Sequence, residues 1–333
     1  MKLCYDTNAK SNSRSSRTKN TQNMSSKNPS INTAITRKQS QDFKKEIWQY
    51  YENNKRDLPW RNTTDPYRIL VSEVMLQQTQ VSRVIPKYAE FLKKFSSIKA
   101  LALASKADVL TLWQGLGYNR RALFLKKACE TLYSQNPKRS QFPSTKAELV
   151  ALPGIGQSTA GALLAFAFNK AEPFIETNIR AVFLYFFFKE NLSVSDTNIY
   201  ELISETLDHE RPREWYYALY DYGVMLKAKL GKKKTALHKQ SKHYNKQSSF
   251  KGSNREIRSN ILKLFIAGAK GGKAVPLSES EIIKTITKML PQATKENVET
   301  NIKALYKEGF IETFKRNGGE NKSNENEYAL SRD

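Results

Sequence analysis

From Gln41 almost to Lys229 the apolar residues of this chain recur at spacings of three and four, and that recurrence limits the fold more than any other feature. Phe43, Ile47 and Tyr50 predict a first amphipathic helix. Leu70, Val74, Val81, Val84, Tyr88, Phe91 and Phe95 predict a second, longer one after Asp65-Pro66. Further helices are expected over about 101–115, 121–134, 144–151, 158–168, 178–188, 199–207 and 214–229. Strand-like alternation is absent before residue 310, so the body is read as all-α, its helices joined by short turns such as Leu152-Pro153-Gly154.

The last part of the chain follows another pattern. A helix is expected over 255–265, and Ser278-Glu279-Ser280-Glu281 is a capping box that opens a second, running to Leu290. Thr294 caps a third, which ends at Gly309. Residues 310–315 then alternate like a strand, Asn317-Gly318-Gly319 turns, and Tyr328, Ala329 and Leu330 return as a partner. Three helices and a β-hairpin make a small α+β winged-helix-like domain at 255–333. Contact with DNA and a protein-interaction or dimer role are both open to it.

Charge divides the chain further. Among 333 residues, 55 Lys+Arg stand against 32 Asp+Glu, a formal charge of +23 that points to a polyanionic partner. Residues 1–40 hold eight basic residues against Asp6 alone, and residues 227–258 hold eleven against Glu256 alone. Both stretches are poor in large apolar side chains, which predicts a disordered basic tail at 1–40 and a flexible basic linker at 227–254 flanking a helical domain at 41–226. The Ser-rich tail weakly resembles an organellar transit peptide but lacks an Arg-bearing amphipathic helix, so a cytoplasmic, nucleoid-associated location is expected with organellar targeting left open. No apolar run approaches the roughly 18 residues of a membrane span, and Cys4 and Cys129 offer one disulfide at most. No membrane partner is expected, and the chain is read as a monomer.

The sharpest local motif is Leu152-Pro153-Gly154-Ile155-Gly156 between two helices. Its glycines let the backbone approach a ligand, and the amides of the following helix form an anion site suited to one DNA phosphate. A tight helical turn with no ligand would use the same residues. Taken with Leu58-Pro59-Trp60-Arg61, with Val71-Ser72-Glu73-Val74-Met75-Leu76-Gln77-Gln78-Thr79-Gln80-Val81 and with Leu112-Trp113-Gln114-Gly115-Leu116-Gly117-Tyr118, the hairpin, which continues as Gln157-Ser158-Thr159-Ala160-Gly161-Ala162, resembles the MutY-type adenine DNA glycosylases of the endonuclease III superfamily. The resemblance covers about residues 43–226.

The resemblance implies a helix–hairpin–helix DNA glycosylase body of two helical subdomains with the active site in the cleft between them. It also implies base excision repair of double-stranded DNA bearing a mismatched or oxidised pair. The reaction would be hydrolysis of the N-glycosidic bond of adenine opposite 8-oxoguanine or guanine. By position, Glu73 matches the family's general acid, Asn178 a neighbour of the second carboxylate, Arg61 a base-pocket contact, and Gln78 and Tyr118 the residues that wedge into the duplex when a base is flipped out. Leu152, Gly154, Ile155 and Gly156 match the phosphate-gripping hairpin, where the family often holds a monovalent cation, K or Na, on main-chain carbonyls.

This chain departs from the family in three places, and in a fourth from its bifunctional relatives. Glu176 stands where the family has Asp to stabilise positive charge at C1′, and one extra methylene there moves the carboxylate by about a bond length. A charge that merely favours a helix N-terminus is the alternative role for Glu176. Ser158, beside the base pocket, stands where bifunctional relatives carry a nucleophilic lysine, so a monofunctional enzyme without lyase activity is expected. No cysteine follows Cys129, so no iron–sulfur cluster and no metal is expected, the basic linker replacing the cluster loop. The domain by which the family senses 8-oxoguanine has no counterpart pattern. Two other functions therefore stay open: a glycosylase for another mispair such as T:G or U:G, and a non-catalytic DNA-binding protein.

Overall fold

In the computed structural model, residues 34–135, 142–188, 193–231, 249–268, 275–314 and 326–331 are described. The expected basic tail lies outside them through residue 33, as do most of the basic linker (232–248) and the 317–319 turn.

Side-chain caps set most helix starts, because a polar oxygen before the first turn takes up its otherwise free amides. Thr36 and Gln39 form a capping box at α1 (Arg37–Asn54). Asp65 accepts from Tyr67 N at α2 (Pro66–Leu76), with Pro66 in a first-turn position where its missing N–H costs nothing. Then follow α3 (Val81–Lys94), α4 (Ile98–Ala102), α5 (Lys106–Trp113), α6 (Arg120–Gln135) and α7 (Lys146–Ala151), the last opened by a Thr145/Glu148 capping box. After them come α8 (Gln157–Phe168), α9 (Thr177–Phe187), α10 (Asp196–Thr206) and α11 (Pro212–Leu230). No helix among the described residues is long and apolar enough to cross a membrane.

Two helices expected as single pieces are broken. The long one after Asp65-Pro66 ends at Leu76 and restarts at Val81, because Gln78 adopts a left-handed backbone (φ 54°). The apolar pattern runs on across the break because both pieces bury the same side, so periodicity alone conceals it. The helix expected over 101–115 is likewise two, α4 and α5, divided at Leu103–Ser105; Ser105 caps the second through Asp108 N. At the other helices the ends move by a few residues.

The body packs in two groups. Helices α3 and α6 pack on α2, with α4 and α5 against α6, while α1 and α9 pack on α11, with α10 against α9 and α1, and α8 touches both α2 and α11. Buried aromatic rings cement the second group: Phe43 of α1 meets Phe183 at 5.3 Å and Trp215 at 5.9 Å. Beyond the body, α12 (Asn254–Gly268), α13 (Glu279–Met289) and α14 (Lys295–Lys307) pack with a three-stranded antiparallel sheet. Its order is β1 (Leu277–Ser278), β3 (Glu327–Leu330), β2 (Ile311–Phe314), with Ile311 opposite Leu330 and Leu277 opposite Tyr328. The Ser278/Glu281 box and the Thr294 cap are present. Strand pairing begins before residue 310, however, because β1 is two residues long and too short to display alternation.

One buried ion pair ties the start of the body to its end. Asp221 of α11, 2% exposed, accepts from Arg56 Nε and Arg61 Nη2 at 2.6 and 2.7 Å on one oxygen. Its other oxygen accepts from Arg61 Nη1 at 2.9 Å and Arg56 N at 3.0 Å. Burial alone would raise this carboxyl's pKa; the hydrogen bonds and charges of Arg61 and Arg56 more than offset it and hold the group below its ordinary range. Replacing Asp221 with Ala strands the Arg61 guanidinium, 7% exposed, without its counter-charge. The expected loss is about 3–5 kcal/mol of stability by urea denaturation, and a loss below about 1 kcal/mol would show the pair to be dispensable.

Candidate active site

Two glutamates from different helices face the same space. Glu73 lies within α2, its neighbours Ser72 and Val74 buried, and its own carboxyl is partly buried. Among the described residues no hydrogen bond or ion pair reaches that carboxyl. Burial pushes its pKa up to about 8; the nearby charge of Glu176 adds to the rise and that of Arg61 opposes it. Glu176 is the N-cap of α9, and its carboxylate accepts from Asn178 N at 2.6 Å and Ile179 N at 3.0 Å. Burial raises its pKa as well, against the lowering effect of Lys227 and of those amides. Glu176 therefore fills the helix-cap role while sitting close enough for its charge to act on Glu73.

Helix α11 forms the floor of this space. Tyr220 is near both carboxylates, and burial together with their charges raises its phenol well above the usual value. Gly223 lets α11 approach α9 closely: a Cβ there would lie 2.7 Å from Asn178 Cβ and 2.8 Å from Asn178 O. Lys227 Nζ donates to Asn178 Oδ1 at 2.6 Å. Arg61 is seated over the Tyr217 ring, 4.5 Å from its centroid, and its guanidinium is engaged by Asp221 while its Nε is buried with no hydrogen-bond partner among the described residues. Ser158 is exposed in the first turn of α8.

The hairpin has the expected form. Leu152 closes α7 and Gly156 opens α8, Ile155 N donates to Leu152 O at 3.2 Å, and Gly154 holds φ 77° with Phe124 packed where its Cβ would be. Leu152 and Ile155 are buried, which anchors the turn from below and leaves Gly154, Gly156 and Ser158 at the surface.

The two residues expected as wedges share a backbone state. Gln78 and Tyr118 are exposed and carry positive φ, 54° and 48°, a costly conformation for side chains with a Cβ. Arg121 holds both loops together: its guanidinium donates to the carbonyls of Val74 (2.7 Å) and Met75 (3.0 Å) at the end of α2 and to Gly117 O (2.9 Å). A cation at a helix C-terminus satisfies the last free carbonyls and suits the helix dipole. From the C-terminal region, Arg255 Nη1 donates to Tyr118 Oη at 2.9 Å.

Sequence reasoning missed Asp221, Arg121, Tyr220 and Lys227. Lys227 was counted in the basic stretch, and the other three belong to no motif. Asp221 alone left a trace, as an isolated acid within the aromatic run Trp215-Tyr216-Tyr217-Ala218-Leu219-Tyr220 and Tyr222.

Glu73 binds its proton more tightly folded, at about pH 8, than at its ordinary value of 4.5. Its contribution to stability is thus fully present below about pH 4.5 and is lost as pH rises through about 8. Urea denaturation across that range should show stability falling with pH, and Glu73→Gln should flatten the fall by about 2 kcal/mol after allowance for partial solvent contact. Identical slopes for wild type and variant would show that Glu73 titrates normally.

Comparison with known proteins agrees with this geometry. Residues 71–214 match the family described as HhH-GPD superfamily base excision DNA repair protein. An adenine DNA glycosylase of Buchnera aphidicola subsp. Baizongia pistaciae is 35% identical over 181 residues, which is 53% of this chain and 50% of that protein. An adenine DNA glycosylase of Mycobacterium tuberculosis is 41% identical over 134 residues, 40% of this chain and 43% of that one. The chain thus spans about half or less of the length of these curated relatives. A solved thermostable thymine-DNA glycosylase superposes with a TM-score of 0.51 at 24% identity, covering 62% of this chain and 97% of its own. The fold shared with a solved glycosylase and the curated relatives point the same way as the family match: residues 71–214 are similar to the HhH-GPD superfamily of base excision DNA repair proteins.

Proposed function

We propose that the chain is a monofunctional DNA glycosylase of base excision repair that releases adenine mispaired with 8-oxoguanine or guanine from duplex DNA. The observation that carries this reading is the contrast between the two glutamates. Glu73, with no hydrogen bond from the described residues and a pKa raised to about 8, keeps its proton at neutral pH. Glu176, with two main-chain amides and an ammonium nearby, has the partners of an ionised carboxylate. Pairs of carboxyls whose surroundings separate their proton affinities divide into an acid and a stabiliser.

In the proposed reaction Glu73 gives its proton to N7 of the extruded adenine. The N9–C1′ bond then breaks, its electron pair leaving with the base. The oxocarbenium-like sugar faces the Glu176 carboxylate, whose negative charge is worth more in a dry site than in water. A water adds at C1′ and yields its proton to the Glu73 carboxylate, leaving free adenine and an abasic site. Ser158, a hydroxyl at the position of the bifunctional relatives' lysine, supports hydrolysis without strand cleavage. The exposed hairpin at Gly154 and Gly156 would take a DNA phosphate on the first-turn amides of α8. A monovalent cation there would be held by hairpin carbonyls, hard oxygen donors of which Leu152 O has spent one lone pair on Ile155 N. Gln78 and Tyr118, held at strained backbone angles, would fill the gap left by the flipped base.

The test is base release from duplexes containing A:8-oxoG, A:G, T:G and U:G. Adenine should be released from the first two without strand nicking or a borohydride-trapped adduct. Glu73→Gln should lower single-turnover release by about 10²-fold or more while leaving duplex affinity nearly intact. Release from T:G or U:G alone would identify a different mispair as substrate. Tight binding with no release from any duplex would mark a non-catalytic binding protein.

A further inference from the structure

Glu176 is longer than the aspartate of the family this chain resembles, and its surroundings compensate for that length. Besides the two main-chain amides, Asn178 Nδ2 reaches Glu176 Oε2 at 3.4 Å. The opposite end of the same side chain, Asn178 Oδ1, accepts from Lys227 Nζ at 2.6 Å. An ammonium has donors only, so it can pair with the amide oxygen and not with the amide nitrogen. Lys227 thereby fixes which way Asn178 faces, and leaves Nδ2 as a donor on the side of Glu176.

The reach of Lys227 depends on the packing of α11 against α9. One turn before it, Gly223 has no side chain where Asn178 Cβ would be met at 2.7 Å, which lets the backbones close up. Among the described residues, the charged and titratable groups that act on Glu176 include Glu73 from α2, and Tyr220 and Lys227 from α11. Arg180, one turn along α9, is committed to Asp196 through its Nε and Nη2 at 3.1 and 2.7 Å. Lys227 is the cation whose charge opposes the desolvation of Glu176.

We propose that Lys227 is a positioning residue of the base-release reaction: its ammonium orients Asn178 and, through that amide, keeps the Glu176 carboxylate ionised and aimed at the sugar. The proposal rests on Glu176 acting as the cation stabiliser described above. Lys227 itself touches no reacting atom. Because the rate requires Glu176 ionised, removal of the ammonium shifts the acid limb of the pH–rate profile to higher pH.

The experiment uses the full chain as wild type, Lys227→Met and Lys227→Arg. Single-turnover adenine release is followed from about pH 5 to 9. In parallel, the side-chain carboxyls are titrated by ¹³C NMR in the free protein, with the Glu176 resonance assigned from Glu176→Gln. Lys227→Met should release adenine about 10-fold more slowly at pH 7, with the acid limb and the Glu176 titration both moved up by about one pH unit. Lys227→Arg should restore both, since it keeps a charged donor. An unmoved Glu176 titration overturns the proposal even where the rate falls, leaving Lys227 a packing contact. Should Lys227→Met fail to fold, Lys227→Gln, which keeps a donor without the charge, is read by the same titration and the same criterion. Absence of release by the wild type would defeat the glycosylase reading, and the titration would still decide the Lys227 contact.

Discussion

A carboxylate with almost no access to water must find its counter-charges within the protein, and Asp221 finds them in Arg56 and Arg61, more than 150 positions away along the chain. This buried pair fixes where α11 lies against the 3₁₀ turn at Pro59–Arg61. Tyr220, Gly223 and Lys227 stand on the same helix within two turns of Asp221, so a helix pinned at Asp221 carries Tyr220 to the two glutamates and Gly223 and Lys227 to Asn178. The pair does not need to add much net stability to serve in this way, since its geometry restricts how α11 can sit.

The cleft then makes two identical side chains behave differently. Glu73 is surrounded by protein and given no donor from the described residues, so desolvation rules and the proton stays. Glu176 meets the same burial but sits at a helix N-terminus, where amides point at it and an ammonium is relayed through Asn178. Side-chain chemistry is equal in the two cases; the difference comes from the free donors that a helix end possesses and a helix middle lacks.

Most of the architecture was legible in the sequence, and its failures have a common cause. Helix existence followed from period and caps, since each needs only neighbours within four residues. The break at Gln77–Gln80 was not legible, although Gln78 itself was singled out, because the break depends on Arg121 binding carbonyls of α2 from a different helix. The two-residue strand β1 was missed because it exists only through its pairing with β3. Glu73, Glu176 and Asn178 were readable through their motifs. Asp221, Tyr220 and Lys227 carry no local signature, and Lys227 in particular was counted among linker charges although it reaches into the cleft.

The sequence by itself determined an all-α body with a helix–hairpin–helix turn, an α+β C-terminal region, a strongly basic chain, and two acidic residues at positions the resemblance singles out, because period, caps, glycines and charge act over short stretches of chain. Only the tertiary structure decided which of those acids keeps its proton, which cation lies beside the other, and that Arg255 from the C-terminal region reaches Tyr118. Proton affinity depends on burial and on the charges within a few ångströms, and in this protein those charges come from helices separated by scores of residues.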